Sequence, residues 1–324
     1  MSNPDSKDVY VDEFLSNILI AYMQDQNNFG ADKLFPTVDV QRETGIYIQY
    51  DQGDFLRSEA KKRGPAAESA GTGFDIDKTG KYNCEQYSIH EDIDPRVTAN
   101  QMDPVDVESA ASRLIAQKLL IRRERDFVNS YFKTGVWDSN LQGGVSSGFA
   151  TQWNDGNSTP VDDITNEAEA MVGRTGFRPN KAACDALTYN ALRNHPDVLE
   201  RIKYTERGIV TPELLASLLD LDEFIVMRAV ENTAVKGAAD SVGYIAPNSL
   251  LLVYTTDTPS IMVPSAGYTF AWTGLFQNAY SGRITRMEMP LNNHSVRIEG
   301  DMAYGMEAVA TPLGSYFYDT LSTP

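Results

Sequence analysis

A chain of 324 residues with 42% hydrophobic and 23% charged side chains has ordinary globular composition and length for two domains or one elaborated domain, which excludes a disordered polypeptide. The formal charge of −17, from 28 basic and 45 acidic residues with no basic tail, argues against a surface that grips nucleic acid by its phosphates. No apolar run approaches the roughly 18 residues of a membrane span, and the N-terminus lacks the basic region and cleavage site of an export signal, so a cytoplasmic origin is expected.

Residues 1–41 open with a polar tail, followed by Phe14, Leu15, Ile18, Leu19, Tyr22 and Met23 at helical spacing. So short a helix has little of its own to pack on, and it is expected to lie against another part of the protein or another copy. After Gly45 the period changes to two: Ile46, Ile48 and Tyr50 share one parity, as in a strand with a covered face. A polar, glycine-rich stretch containing Lys61, Lys62, Arg63, Gly64 and Pro65 follows, and Phe74, Ile76, Tyr82 and Cys84 restore alternation before Tyr87 and Ile89 take the other parity. Residues 40–94 therefore read as a two-stranded excursion resting on a partner.

A long helix is announced from Asp103 to Gly135, with Asp103 as cap, Pro104 at the first position, and Val107, Ala110, Ala111, Leu114, Ile115 and Leu119 on its apolar face. That span allows roughly 45 Å of helix. Arg122, Arg123, Glu124, Arg125 and Asp126 interrupt the face, which reads as a solvated turn with local ion pairs or as a surface for a neighbouring subunit. Beyond glycine-rich loop chemistry at 143–157, helices are expected at 160–172, 185–194 and from Pro212, with strands at 224–230, 250–254, 268–272, 283–289, 295–299 and around 304–309. Helices alternating with strands indicate a mixed α/β domain.

Several stretches resemble one known family. YNALRNHPDVLERIKYT at 189–205 followed by TPELL at 211–215 is similar to the central domain of tailed-bacteriophage major capsid proteins, and GKYNCEQY at 80–87, LIRRER at 120–125 and GYTFAW at 267–272 fit the same family in the same order. The resemblance implies an α+β fold of the Hong Kong 97 type. Its parts would be an N-terminal arm at 1–39, an extended loop at 40–94, a peripheral domain at 95–175 with a spine helix over 103–134, an axial domain at 176–282, and peripheral C-terminal strands at 283–324. It further implies a shell protein of the virion, assembled in the host cytoplasm as pentamers and hexamers of itself. Such a shell encloses double-stranded DNA without reading its sequence, beside portal, separate scaffold and possible decoration proteins, with no membrane. Arg122, Arg123, Arg125, Lys61, Lys62, Phe14 and Leu15 are the candidate intersubunit contacts. An encapsulin shell protein of a bacterial nanocompartment is the alternative with the same fold.

Catalytic chemistry is sparse. His90, His195 and His294 have no second ligand at metal spacing, Cys84 and Cys184 are too few for a disulfide framework or zinc site, and no phosphate loop stands out, so neither cofactor nor enzyme activity is expected. Gly144-Val145-Ser146-Ser147-Gly148 formally matches a hydrolase nucleophile elbow, without the strand before it and the helix after it that Ser146 would need. Some capsid proteins of the resembled family join a loop lysine to a peripheral asparagine with help from a glutamate. Lys61 with Asn292 and Glu299 could serve, although a solvated loop and a plain asparagine turn is the simpler reading.

Overall fold

The computed structural model describes residues 24–50, 52–99, 106–203, 210–259, 263–289 and 294–322. Phe14, Leu15, Asp103, Pro104 and Asn292 lie outside these residues. Strands are numbered in chain order: β1 (Thr37–Val40), β2 (Thr44–Ile46), β3 (Gln49–Tyr50), β4 (Ile76–Asp77), β5 (Lys81–Asn83), β6 (Glu85–Ile93), β7 (Ser139–Gln142), β8 (Lys181–Asp185), β9 (Glu223–Met227), β10 (Val230–Asn232), β11 (Val242–Tyr244), β12 (Ser249–Val253), β13 (Gly267–Trp272), β14 (Arg283–Met289), β15 (Ser295–Ala308) and β16 (Gly314–Tyr318).

Two five-stranded sheets organise the chain. One, labelled the axial sheet because three of its strands come from the stretch expected to be axial, has the order β7-β16-β12-β8-β9. Its central strands are buried on both faces, so they read as apolar runs, and the pleat sorts them by parity. Ala182, Cys184, Phe224, Val226, Leu250, Leu252 and Phe317 meet the helices Pro160–Thr175, Ala186–Asn194, Pro196–Ile202 and Pro212–Leu218. Ala183, Ile225, Met227, Leu251, Val253 and Tyr316 face Phe127, Val128 and Tyr131 of the long helix together with Ala31, Leu34 and Phe35. The peripheral sheet is built on β15, antiparallel to β14, β6 and β13, with β1 parallel to β13.

Sheet membership divides the chain differently from the expected boundaries. β7 and helix Pro160–Thr175, from the stretch expected to be peripheral, join the sheet of β8, β9 and β12; β13, from the stretch expected to be axial, joins the sheet of β15; and β16 returns from the C-terminal strands to lie between β7 and β12. β1, expected at the end of the arm and start of the loop, is an edge of the peripheral sheet. The segments expected at 295–299 and 304–309 are one continuous strand, because β15 changes neighbours along its length from β14 to β13. Apart from the β14–β15 hairpin these pairings are long-range, and local periodicity does not contain them.

The long helix spans Val107–Tyr131, 25 residues or about 37 Å. Its cap is Asp106, which accepts from Glu108 N–H at 3.1 Å and Ser109 N–H at 3.3 Å, and it ends at Phe132, before Gly135. Ala111, Ile115 and Leu119 pack on Ile298 and Met302 of the peripheral sheet, while Phe127, Val128 and Tyr131 pack under the axial sheet. One helix thus ties the two sheets together. At Gly300 it approaches so closely that a Cβ would lie 2.4 Å from Ile115 Cγ2 and 2.8 Å from Leu119 Cδ1, so only glycine fits there.

Candidate assembly surfaces

The extended loop is built from two short ribbons, β2 with β5 and β3 with β4, and carries the helix Gln52–Leu56. Its root is anchored: Tyr82 and Tyr47 stack on Phe270 of β13 with centroids 4.6 and 6.0 Å away. Gly45 and Gly80 leave room for those rings, since a Cβ on either would fall 2.4 Å from Tyr82 or Tyr47. Farther out, Asp54 ties the loop across by accepting from Asp75 N–H at 2.8 Å and pairing with Arg57 at 2.9 Å. Asp77 accepts from the Thr79 amide and hydroxyl, both at 2.8 Å, and those bonds hold its carboxyl below the usual range.

What the loop does not do is cover its apolar side chains. Ile46, Ile48, Phe55, Leu56, Phe74 and Ile76 are between 45% and 61% exposed, and Phe55 and Phe74 lie 6.1 Å apart between centroids. The covered face expected for Ile46 and Ile48 is therefore open within the subunit. Lys61 and Lys62 sit exposed on the same loop, while Glu299 is half-buried on β15 opposite His90 of β6.

The arginine-rich turn of the spine helix splits. Arg122 lies over the Tyr87 ring at 4.6 Å, pairs with Asp126 at 2.9 Å, and keeps 47% of its side chain in solvent. Arg125 is 55% exposed and 3.7 Å from Glu231. Arg123, by contrast, is buried: it pairs with Asp32 at 2.5 Å, donates to the Tyr280 carbonyl at 3.2 Å and stacks 4.6 Å from the Tyr280 ring. The candidate contacts Arg122 and Arg125 are accessible; Arg123 is corrected to an internal role, because its charge is spent inside its own subunit. Beside it Glu124, read as part of a solvated turn, is fully buried and accepts from Gly30 and Ala31 N–H. These partners are more than ninety residues away in sequence, so periodicity carried no signal of them.

Neither Ser146 nor Ser158 sits in a catalytic arrangement. Ser146 is exposed in a turn after β7, with another turn following it in place of a helix. Ser158 and His195 resemble a dyad, with Oγ 2.9 Å from Nε2, but the proton runs the wrong way. Asp197 N–H donates to Nδ1 at 3.1 Å, so the neutral ring carries its proton on Nε2 and donates toward Ser158 Oγ and the Asp155 carbonyl, 3.0 Å away. The serine hydroxyl in turn donates to that carbonyl at 2.7 Å, and His195 is a helix cap with no lone pair for it. Burial drives the Cys84 thiol up to about 11 and raises Cys184, which suits inert core thiols. Among the described residues no group of three or more His, Cys, Asp or Glu side chains could hold a metal ion, and no helix is long and apolar enough to cross a membrane.

Comparison with known proteins agrees with this geometry. The family described as phage major capsid protein E matches residues 140–265, which fall mostly in the axial half. The major capsid protein of Burkholderia phage BcepMu is 26% identical over 228 residues, covering 68% of this chain and 69% of that protein. In structure, a phage-related protein from Bordetella bronchiseptica RB50 aligns over 97% of this chain and 99% of its own with a TM-score of 0.67 and 21% identity. The capsid of cyanophage P-SCSP1u aligns over 98% and 95% with a TM-score of 0.61 and 12% identity. The holo-SrpI encapsulin of Synechococcus elongatus PCC 7942 shares the fold at a TM-score of 0.53 and 11% identity, over 100% and 93% of the two chains. Two sheets bridged by one long helix, with a projecting loop, define the Hong Kong 97-type class, and the chain is a phage major capsid protein of that class.

Proposed function

We propose that the chain assembles into pentamers and hexamers that close as an icosahedral shell around double-stranded DNA, with the extended loop of each copy lying over its neighbour. The observation that carries this reading is the row of six large apolar side chains from Ile46 to Ile76 left open on a loop whose root is rigidly packed. Such a patch marks an interaction surface. Arg122, Arg125, Lys61 and Lys62 would supply polar contacts between copies, and the joining of copies in a closed symmetric array multiplies modest contacts. The charge of −17 suits a wall that must not adhere to the DNA it encloses. Portal, scaffold and decoration proteins would act as separate partners.

Electron microscopy of the purified protein tests this: isometric shells are expected, and a uniform monomer that never assembles would overturn it. Nucleic acid inside shells from infected cells, rather than an enzyme cargo, separates the phage reading from a nanocompartment. On a denaturing gel the shells should run at the monomer mass of 35.9 kDa, without a Lys61–Asn292 crosslink.

A further inference from the structure

The two-stranded ribbon of β10 and β11 has two unlike faces. One, carrying Glu231 opposite Gly243, is turned to the body: Glu231 lies 3.7 Å from Arg125 of the spine helix, and Ile245, next of that parity, packs against the core. The other carries Val230 opposite Tyr244 and Asn232 opposite Val242. On this outer side Val242 is 65% and Tyr244 46% exposed, and Val235 at the tip is 81% exposed. The ribbon is nevertheless well formed, because Asn232 closes its tip by accepting from Ala234 and Ser241 N–H, each at 3.0 Å, and donating to Asp240 at 2.7 Å. An isolated two-stranded ribbon is at best marginally stable in water, so an ordered one with a bare apolar face calls for a cover.

The path of the chain supplies one. Gln24 takes both backbone groups of Val230, its side chain accepting from Val230 N–H at 3.0 Å and donating to the Val230 carbonyl at 2.6 Å. Arg228 N–H donates to the Asn28 carbonyl at 3.0 Å, so residues 24–28 follow the same edge and deliver Gln24 to the foot of the ribbon, at the pair Val230–Tyr244. Residues 1–23 lie outside the described part of the chain. Their sequence brings Phe14, Leu15, Ile18, Leu19, Tyr22 and Met23 at helical spacing directly before Gln24, with Asp12 and Glu13 ahead of them. As a helix, residues 14–23 would measure about 15 Å, and the ribbon from Val230 to Ala234 measures about 13 Å. Laid from foot to tip, such a helix would bring Asp12 and Glu13 to the exposed Lys236.

We propose that residues 14–23 dock as an amphipathic helix on the Val235–Val242–Tyr244 side of the ribbon in their own copy. The apolar stripe of the segment covers the apolar side of the ribbon, and its acidic start meets Lys236 at the tip. Met23 is joined to a residue already pinned at the foot of the ribbon, so docking is intramolecular. A short tether gives an effective concentration on the order of millimolar, which favours the copy's own segment over a neighbour's. Phe14 and Leu15, candidate contacts between copies, are then spent within the subunit.

Hydrogen exchange of the full-length protein, followed as unassembled subunits over a dilution series, tests the docking. Amides 15–23 should be protected to the same degree at every concentration. Val242→Ser with Tyr244→Ser removes exposed side chains and no core packing, and should raise exchange at 15–23 by about tenfold or more. Reciprocally, Ile18→Asp with Leu19→Asp should raise exchange in the ribbon, residues 230–244, while amides 182–184 of the axial sheet stay at the parent's rate. Absent protection at 15–23, or segment and ribbon variants that each leave the other element unchanged, would overturn the proposal. So would protection that appears only as concentration rises, by showing that a second copy supplies the cover. Shell formation is read separately by microscopy, so none of these outcomes decides the role of the extended loop.

Discussion

Arg122 and Arg123 are neighbours in the chain with opposite surroundings, and the difference is a matter of helical phase. One residue turns the side chain by about 100°, which carries Arg122 onto the Tyr87 ring at the surface and Arg123 into the wall between the spine helix and Asp32. A surface pair such as Arg122–Asp126 contributes at most about 1 kcal/mol to the fold. Removing Arg123 strands the Tyr280 carbonyl and takes away the partner of Asp32, and because Asp32 is itself half in solvent the loss is about 2 kcal/mol rather than the full cost of breaking a buried pair. Thermal denaturation of unassembled subunits should therefore show Arg122→Glu close to the parent and Arg123→Ala clearly lowered. Shell yield by sedimentation should show Arg122→Glu defective all the same. Equal melting of the two variants would contradict this division of roles.

Among the elements, the spine helix was the most legible and also shows where legibility stops. Its apolar spacing through Ala111, Ile115 and Leu119 marks a helix whatever it packs against, and those residues do face a core. The cap was misplaced by three residues because Asp103 and Asp106 are equally good cap chemistry, and only the geometry shows Asp106 accepting from Glu108 and Ser109. Of the five charged residues from Arg122, Arg123 and Glu124 looked solvated because their partners come from Gly30–Asp32 and Tyr280, far away in sequence. The candidate loop was visible as a polar excursion, whereas the openness of Ile46 and Ile48 was not, since alternation shows that a face is apolar and not what lies on it. Gly300 carries a sharp element-scale test. In Gly300→Ala a methyl would collide with Ile115 and Leu119, which are themselves packed, and the helix must lift from β15. Overpacking of this kind costs about 1–3 kcal/mol, so chemical denaturation should show a lower midpoint with an unchanged slope. A midpoint equal to the parent would mean that helix and sheet are less tightly opposed than they stand here.

At the scale of the whole molecule, the rigid part and the adhesive part are separate, and this makes assembly testable apart from folding. The two sheets and the spine helix hold the core clusters, while the loop beyond its Tyr47–Tyr82–Phe270 root leaves Phe55 and Phe74 in solvent. Replacing both with serine removes no core packing, so the subunit should fold with its melting temperature within a few degrees of the parent. In a shell each loop would bury those rings on a neighbour, and burying one large apolar side chain stabilises by about 1.5–3 kcal/mol. Losing two weakens each intersubunit contact by about 3 kcal/mol or more, on the order of a hundredfold in its equilibrium constant. Because every copy in a closed shell makes that contact, the concentration at which shells first appear should rise by at least as much. Light scattering across a dilution series of the Phe55→Ser, Phe74→Ser protein would measure that threshold. A threshold matching the parent's would show that the apolar loop face is not what joins the copies.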